Sequence, residues 1–305
     1  MRGYLLRRVL QAVPALLGVT LVAFVLVRFT GDPAQVMLPP EAPPEEVARF
    51  RADAGLDKPL PLQFLYYVGN AVTGDFGDSI RYKEPVSSLI GQRLPATLQL
   101  ALYGILLATL IGVPLGMLAA LRRGSWIDSA IRVVTLFSQA VPSFYFGLLL
   151  ILVFGVSLEV LPTGGASTSA HYVLPAVTLA VYLIPLVLRI SRGATLDVAR
   201  QDYVRTARAK GTPERRVVGV HILKNALIPV VTVIGLQLGY ALSGAIVIET
   251  VFAWPGVGQL MINAVFSRDF PVVQGAVVFA AVVFILVNLV VDVLYAVLDP
   301  RIRLS

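Results

Sequence analysis

The feature that most constrains this chain is the recurrence of long apolar runs. Six segments, roughly 9–29, 98–121, 133–156, 173–191, 228–249 and 274–298, are apolar enough to cross a hydrocarbon layer, which takes about 20 residues. No water inside a bilayer satisfies backbone N–H and C=O groups, so each run must be helical. The expected fold is all-α: a polytopic membrane protein with six transmembrane helices and a partly helical external loop. Composition agrees, with 57% hydrophobic and 14% charged residues in a chain of 305. A soluble domain carries more charge.

The first run follows Arg7 and Arg8. It is too long for the apolar part of a signal peptide, and no small-residue cleavage site follows, so it reads as a retained anchor. The fourth run is short and holds Pro175 and Pro185. With Pro142, these prolines are expected to kink their helices.

Basic residues set the orientation. With the N-terminus inside, segments 1–8, 121–132, 189–228 and 299–305 carry 3, 3, 9 and 2 lysines and arginines. The short outer loops 155–172 and 250–273 carry none and one. The remaining basic residues lie in or beside the long outer loop, which also holds nine acidic ones. Both termini and the segment 189–228 are expected on the cytoplasmic side of the membrane. The net charge of +7 sits at the ends of apolar runs, which points to lipid and not to nucleic acid. The chain has no cysteine and only two histidines, His171 and His221. Disulfides, thiolate catalysis and Cys- or His-rich metal sites are thereby excluded.

The expected organisation is a cytoplasmic end and first span over 1–29, an external region over 30–97, a five-helix core over 98–298 and a cytoplasmic tail over 299–305. The external region is proline-rich. Glu45 to Ala54 and Leu62 to Val72 read as short helices, the second with Phe64, Leu65, Val68 and Val72 on one face. It reads as a scaffold or docking pad. In the spans, Gly112 with Gly116 and Gly235 with Gly239 and Ser243 form small-xxx-small pairs that allow close helix approach. The first pair reads as packing within the chain. Those at 235–243 read as packing or as a face for a partner subunit.

The cytoplasmic segment 192–227 is the hydrophilic exception. Asp197 to Lys210 holds good helix formers. Gly211 suits the left-handed position after a helix. Thr212 then reads as an N-cap and Pro213 as the first residue of a second helix. A helix–turn–helix hook between two spans is suited to docking on a partner in the aqueous phase. A basic loop on anionic headgroups would explain the charge, but not the defined turn or the small Ala207 and Ala209.

No lysine follows a glycine, so a phosphate-binding G-x-x-x-x-G-K-[ST] loop is absent. No G-x-S-x-G nucleophile elbow exists either. The chain is therefore expected to be non-enzymatic and to bind no cofactor; if ATP and Mg drive it, the ATPase is a separate polypeptide. Glu249 and Asp292 are the acidic residues of the spans, with Asp292 expected to pair with a cation such as Arg132 or Arg189. Gln139, Ser143, Thr178, Gln237, Ser243 and Asn288 are uncharged polar residues suited either to a translocation path or to interhelical hydrogen bonds.

Several stretches together give a resemblance. They are Tyr4-Leu5-Leu6-Arg7-Arg8, Gly31-Asp32-Pro33, Gly55-Leu56-Asp57-Lys58-Pro59-Leu60, Gly74-Asp75-Phe76-Gly77, Asp202 to Gly211, Asn225-Ala226-Leu227-Ile228-Pro229, Val251 to Gly258, and Asp292 to Arg301. The chain resembles, over its length, the B-type permease subunit of bacterial ABC importers for dipeptides, oligopeptides, glutathione or nickel. The resemblance implies that the hook is the EAA coupling loop, seated on a cytoplasmic ATPase through Asp202, Tyr203, Arg205, Thr206, Ala207, Arg208, Ala209, Lys210 and Gly211. Aligned on Gly211, the EAA triplet falls on Arg205, Thr206 and Ala207, so arginine replaces the usual acidic residue. Lys224 stands where the general motif has proline. The implied partners are a second homologous permease of different sequence, two ABC ATPase subunits and an extracytoplasmic binding protein. The implied mechanism is alternating access, with short peptides as substrate. Two other readings stand beside it: an ion-gradient-driven secondary transporter, disfavoured by the scarcity of midplane carboxylates, and a membrane scaffold.

Overall fold

The computed structural model describes residues 2–30, 42–53 and 55–298. Gly31-Asp32-Pro33, Ala54 and the tail from Asp299 lie outside them. Among the described residues the regular secondary structure is helical, with an isolated bridge between Asp78 and Pro85. Five helical stretches are long and apolar enough to span a bilayer. A sixth is obtained if one bent pair counts as a single span. Packing divides the chain into two compact units, Met1–Pro95 with Gly256–Leu289, and Ala96–Pro255 with Val290–Ser305.

The first unit begins with α1 (Arg2–Thr30). Helix α2 (Pro44–Asp53) carries Glu45 and Glu46 in its first turn and Arg51 in its last, the polarity that a helix dipole favours. Helix α3 (Leu60–Val72) follows the extended Pro59. Its packed side differs from the expected stripe. Phe64 and Val68 are half-buried as expected, but Leu65 and Val72 are exposed and Gln63 is buried. Nε2 of Gln63 donates to the carbonyls of Leu56 and Lys58 at 3.0 and 2.7 Å, which offsets the burial of its donor half. The rings of Phe64 and Tyr67 stand 5.6 and 6.0 Å from Phe24 of α1.

The loop after α3 is fastened by Asp269, which is 1% exposed. Its carboxylate accepts hydrogen bonds from the Ser79 hydroxyl and from the backbone N–H groups of Ile80 and Arg81. Next come helix α4, which starts at Val86, and the first residues of α11 (Val257–Phe266) and α12 (Phe270–Leu298). Their core is Val86, Leu89, Ile90, Leu260, Val272 and Ala276.

The second unit is organised by two long helices, α4 (Val86–Leu121) and α7 (Val173–Ala199). A Cβ on Gly116 would lie 2.5 Å from the Leu188 carbonyl oxygen, and one on Gly112 3.0 Å from Val187. The first glycine pair thus serves packing within the chain, as expected. Gly235 of α10 (Leu223–Val251) likewise faces Val291, so that glycine also packs within the chain. Leu100, Leu179, Leu183, Ala245 and Ile248 fill the core between α4, α7 and α10.

The third apolar run is not one straight helix. Helix α5 (Trp126–Ala140) ends at Val141, whose φ of −90° and ψ of 124° are extended. A residue before proline is pushed into that region. Helix α6 (Ser143–Leu150) restarts after Pro142 and widens into a π-type turn over Ile151–Ser157. The two parts are bent by 98°. Pro142 thus breaks its helix more sharply than a kink. Pro175 lies in the first turn of α7, where the missing N–H is not needed. Pro185 sits inside α7.

Candidate functional site

The hydrophilic hook begins where α7 stops. Gln201 is extended, with φ −69° and ψ 147°, and α8 runs over Asp202–Ala209. The expected single helix from Asp197 is therefore two helices broken at Arg200 and Gln201. Helix α8 stays in place through one buried residue. Val204 is fully buried against Val217 and Ile222, with Val198, Ala199 and Ala207 around it.

The turn at Gly211 is a complete Schellman closure. The Thr212 N–H donates to Ala207 O at 3.2 Å, and the Gly211 N–H donates to Arg208 O at 2.9 Å. Both carbonyls would otherwise lack partners at the helix end. Gly211 has φ +75° with no atom within 4 Å of an added Cβ. The glycine is thus required by backbone conformation alone. The second helix starts one residue later than expected: Pro213 takes the N-cap position and α9 spans Glu214–Arg216. A π-type turn over Val217–Ile222 then leads into α10.

Polar contacts brace the two limbs. Arg208 donates from Nη2 and Nε to Glu214 at 2.7 and 3.2 Å. This raises the arginine pKa above its ordinary value and keeps the pair charged. Asn225 donates to the Tyr203 hydroxyl at 3.0 Å and to His221 O at 2.9 Å. The nearest approach of Arg205 to Asp202 is 3.7 Å. Asp202, Tyr203, Arg205, Thr206, Arg208, Ala209, Lys210 and Gly211 are exposed, and Ala207 is half-buried. The hook thus presents a stiff surface of mixed charge on a short apolar footing.

A buried ion pair anchors the approach to this surface. Asp128, at the head of α5 and 1% exposed, accepts from Arg192 Nε and Nη2 and from the Gly124 N–H. Arg132 lies 3.4 Å away on the next turn. Sequence reasoning missed this site. Its signal was Ser125-x-x-Asp128, the spacing of a helix N-terminal cap, and the Ser125 side chain indeed accepts from the Asp128 N–H.

Glu249 is fully buried. Its Oε1 accepts from the Thr97 hydroxyl at 2.6 Å. Just beyond it, Trp254 donates through its backbone to Glu249 O and through Nε1 to Ala96 O. The Tyr172 ring stands 4.5 Å from Trp254 and 5.3 Å from Tyr103. The stretch Val251 to Trp254 thus forms a pinned corner at the end of α10. The side chains of Asp292 and Ser243 lie outside the described residues, while Arg132, one expected partner of Asp292, engages Asp128.

The expected path residues occupy varied settings. Thr178 is buried and its hydroxyl donates to Leu174 O. Asn288 donates to Phe284 O. Each of these two spends a polar group on its own helix. Gln237 is buried on α10, Ser143 is half-buried at the start of α6, and Gln139 is exposed in the last turn of α5.

Comparison with known proteins gives consistent matches. Residues 112–304 match the family described as binding-protein-dependent transport system inner membrane component, and residues 1–101 match the N-terminal model of such membrane components. The glutathione transport system permease protein GsiC of Salmonella typhimurium is 43% identical over 304 residues, covering 99% of each chain. The protein of the same name from Escherichia coli is similar to the same extent. Among solved structures, the inward-facing MetNI methionine ABC transporter gives a TM-score of 0.59 at 19% identity, covering 69% of this chain and 96% of that one. An amino acid ABC transporter gives 0.51 at 17% identity, covering 69% and 94%. At these identities the two structures show a shared fold.

Proposed function

This chain belongs to the inner membrane components of binding-protein-dependent transport systems, and on that premise we propose that it carries short peptides, glutathione-like ones among them, inward across the membrane. It is a non-catalytic permease subunit. Separate ATPase subunits supply the driving force, a binding protein delivers substrate at the outer face, and a second permease of different sequence completes the pathway. Both termini and the hook lie in the cytoplasm. The substrate class rests on the 43% identity to permeases named for glutathione transport.

The observation that carries the coupling role is the hook. A short helix, a Schellman turn and a second helix join two spans, α7 and α10, and the outward surface of α8 has no partner role within the chain's own core. A segment that transmits motion must be stiff, and here Val204, the Gly211 turn and the Arg208–Glu214 pair supply stiffness. In the proposed cycle, closure of the ATPase dimer displaces α8. Helices α7 and α10 pass that displacement to the bundle, which opens outward and resets after hydrolysis.

Uptake of labelled glutathione and of a labelled dipeptide into sealed vesicles holding the assembled complex tests this reading. ATP dependence, insensitive to collapse of ion gradients, is the expected result. Uptake driven by a gradient without ATP would establish a secondary transporter instead.

A further inference from the structure

Helix α3 is apolar on both of its sides, although only one side is packed. Residues 60–72 contain no Asp, Glu, Lys, Arg or His. One arc, with Phe64, Tyr67 and Val68, is half-buried beside Phe24 of α1. The opposite arc carries Leu62, Leu65, Tyr66 and Val72 and is exposed, Leu65 by 63% and Val72 by 82%. An uncharged helix whose exposed face is mostly apolar suits an apolar medium, and an exposed apolar face marks an interaction surface.

Three observations identify what covers it. First, Phe24 lies in the last turn of the apolar window Leu10–Val27 of α1. The packed arc of α3 therefore lies against the C-terminal end of a membrane span, whose residues Leu17, Leu21 and Val22 are themselves exposed apolar side chains. Second, Lys58 Nζ sits 4.1 Å above the Tyr66 ring. A tyrosine beside a lysine suits the level of lipid headgroups, where an apolar body and a polar tip are both satisfied. Third, the preceding helix α2 has the opposite character, with Glu45, Glu46, Arg49, Arg51 and Asp53 among its ten residues. The transition from water-facing to apolar helix falls between them.

We infer that α3 is an interfacial membrane helix: it lies at the headgroup–acyl boundary beside the C-terminal end of α1, with Leu62, Leu65 and Val72 in the acyl region and Tyr66 and Lys58 among the headgroups. It would hold the external region down on the bilayer. The inference depends on neither the substrate nor the driving force of transport.

The absence of cysteine makes the test direct. Leu65→Cys, Val72→Cys and, on α2, Glu46→Cys are each labelled with a bimane fluorophore. The variant chains are reconstituted with their co-purifying subunits in phosphatidylcholine vesicles containing a lipid that bears an acyl-chain nitroxide. The expected result is markedly deeper lipid quenching at positions 65 and 72 than at 46, with iodide quenching in the reverse order. Equal lipid quenching at all three positions would overturn the inference, as would protection of 65 and 72 from both quenchers, which would place them under another protein. Two independent α3 positions keep the test decisive if one variant fails to assemble.

Discussion

Arg192 holds Asp128 through two parallel hydrogen bonds of 2.9 Å, Nε to Oδ1 and Nη2 to Oδ2. The pair ties the end of α7 that delivers the hook to the head of α5. It is the bidentate geometry that gives an ion pair both strength and direction, and the carboxylate is buried. Without Arg192 the buried carboxylate keeps Arg132 at 3.4 Å and the Gly124 N–H but loses its two strongest donors. Arg192→Ala is predicted to destabilise the protein by about 1.5–3 kcal/mol. The double variant Asp128→Asn/Arg192→Gln should lose less than the two single variants combined. Thermal unfolding in detergent, followed through the fluorescence of Trp126 and Trp254, measures both; additive losses would show that the pair does not act as a unit.

Close approach of α4 to α7 depends on Gly116. A Cβ there meets the Leu188 carbonyl oxygen at 2.5 Å, and backbone cannot swing aside as a side chain can. Gly116→Leu should cost more than the typical overpacking penalty of about 1–3 kcal/mol and lower the yield of folded protein. Gly193→Ala, inside α7 with open space around it, serves as the control and should match or slightly exceed the parent in thermal unfolding.

The Arg208–Glu214 pair is exposed on both sides, so it is predicted to contribute within about 1 kcal/mol. Glu214→Gln should leave the unfolding temperature nearly unchanged. If the hook docks through its charged surface, the exchange Arg208→Glu/Glu214→Arg should still reduce ATPase stimulation by substrate, because the pair is restored but the surface presented to the partner is reversed. Unimpaired stimulation would remove these two residues from the docking face.

Gly211 permits a test of conformation alone. Its φ of +75° and empty surroundings mean that Gly211→Val pays only the left-handed penalty, about 1–2 kcal/mol. Asparagine tolerates that region better. Transport should therefore fall in the order glycine, asparagine, valine, while the amount of protein in the membrane stays constant. Gly211→Asp should likewise insert but transport poorly. Normal transport by Gly211→Asp would contradict the coupling role of the turn.

Much of this was legible in residue patterns, for physical reasons. A bilayer leaves helices as the solution for long apolar runs, so the spans could be read. Gly211 could be read because a left-handed helix end has a strong glycine preference. The break at Gln201 carried no such signal, as Arg200 and Gln201 are both good helix formers, and so α8 was expected to start at Asp197. The 98° bend at Pro142 was read only as a kink, because a proline alone does not tell a kink from a break. In α3 the stripe Phe64, Leu65, Val68, Val72 suggested one face, but the buried Gln63 rotated the packed side. Its Nε2 donates to carbonyls of the preceding loop, which hydrophobic periodicity does not register. Asp128 and Arg192 are 64 residues apart, a separation at which charge pairing leaves no local trace.

The central claim is that α8 docks on a separate ATPase. The most direct measurement places a single cysteine at position 205 of this cysteine-free chain, by Arg205→Cys, and labels it with a photoactivatable cross-linker in native membranes. Docking of α8 should give a cross-link to a P-loop ATPase whose yield changes when ATP is added. A variant that transports normally yet forms no cross-link to any ATPase, with or without nucleotide, would contradict it.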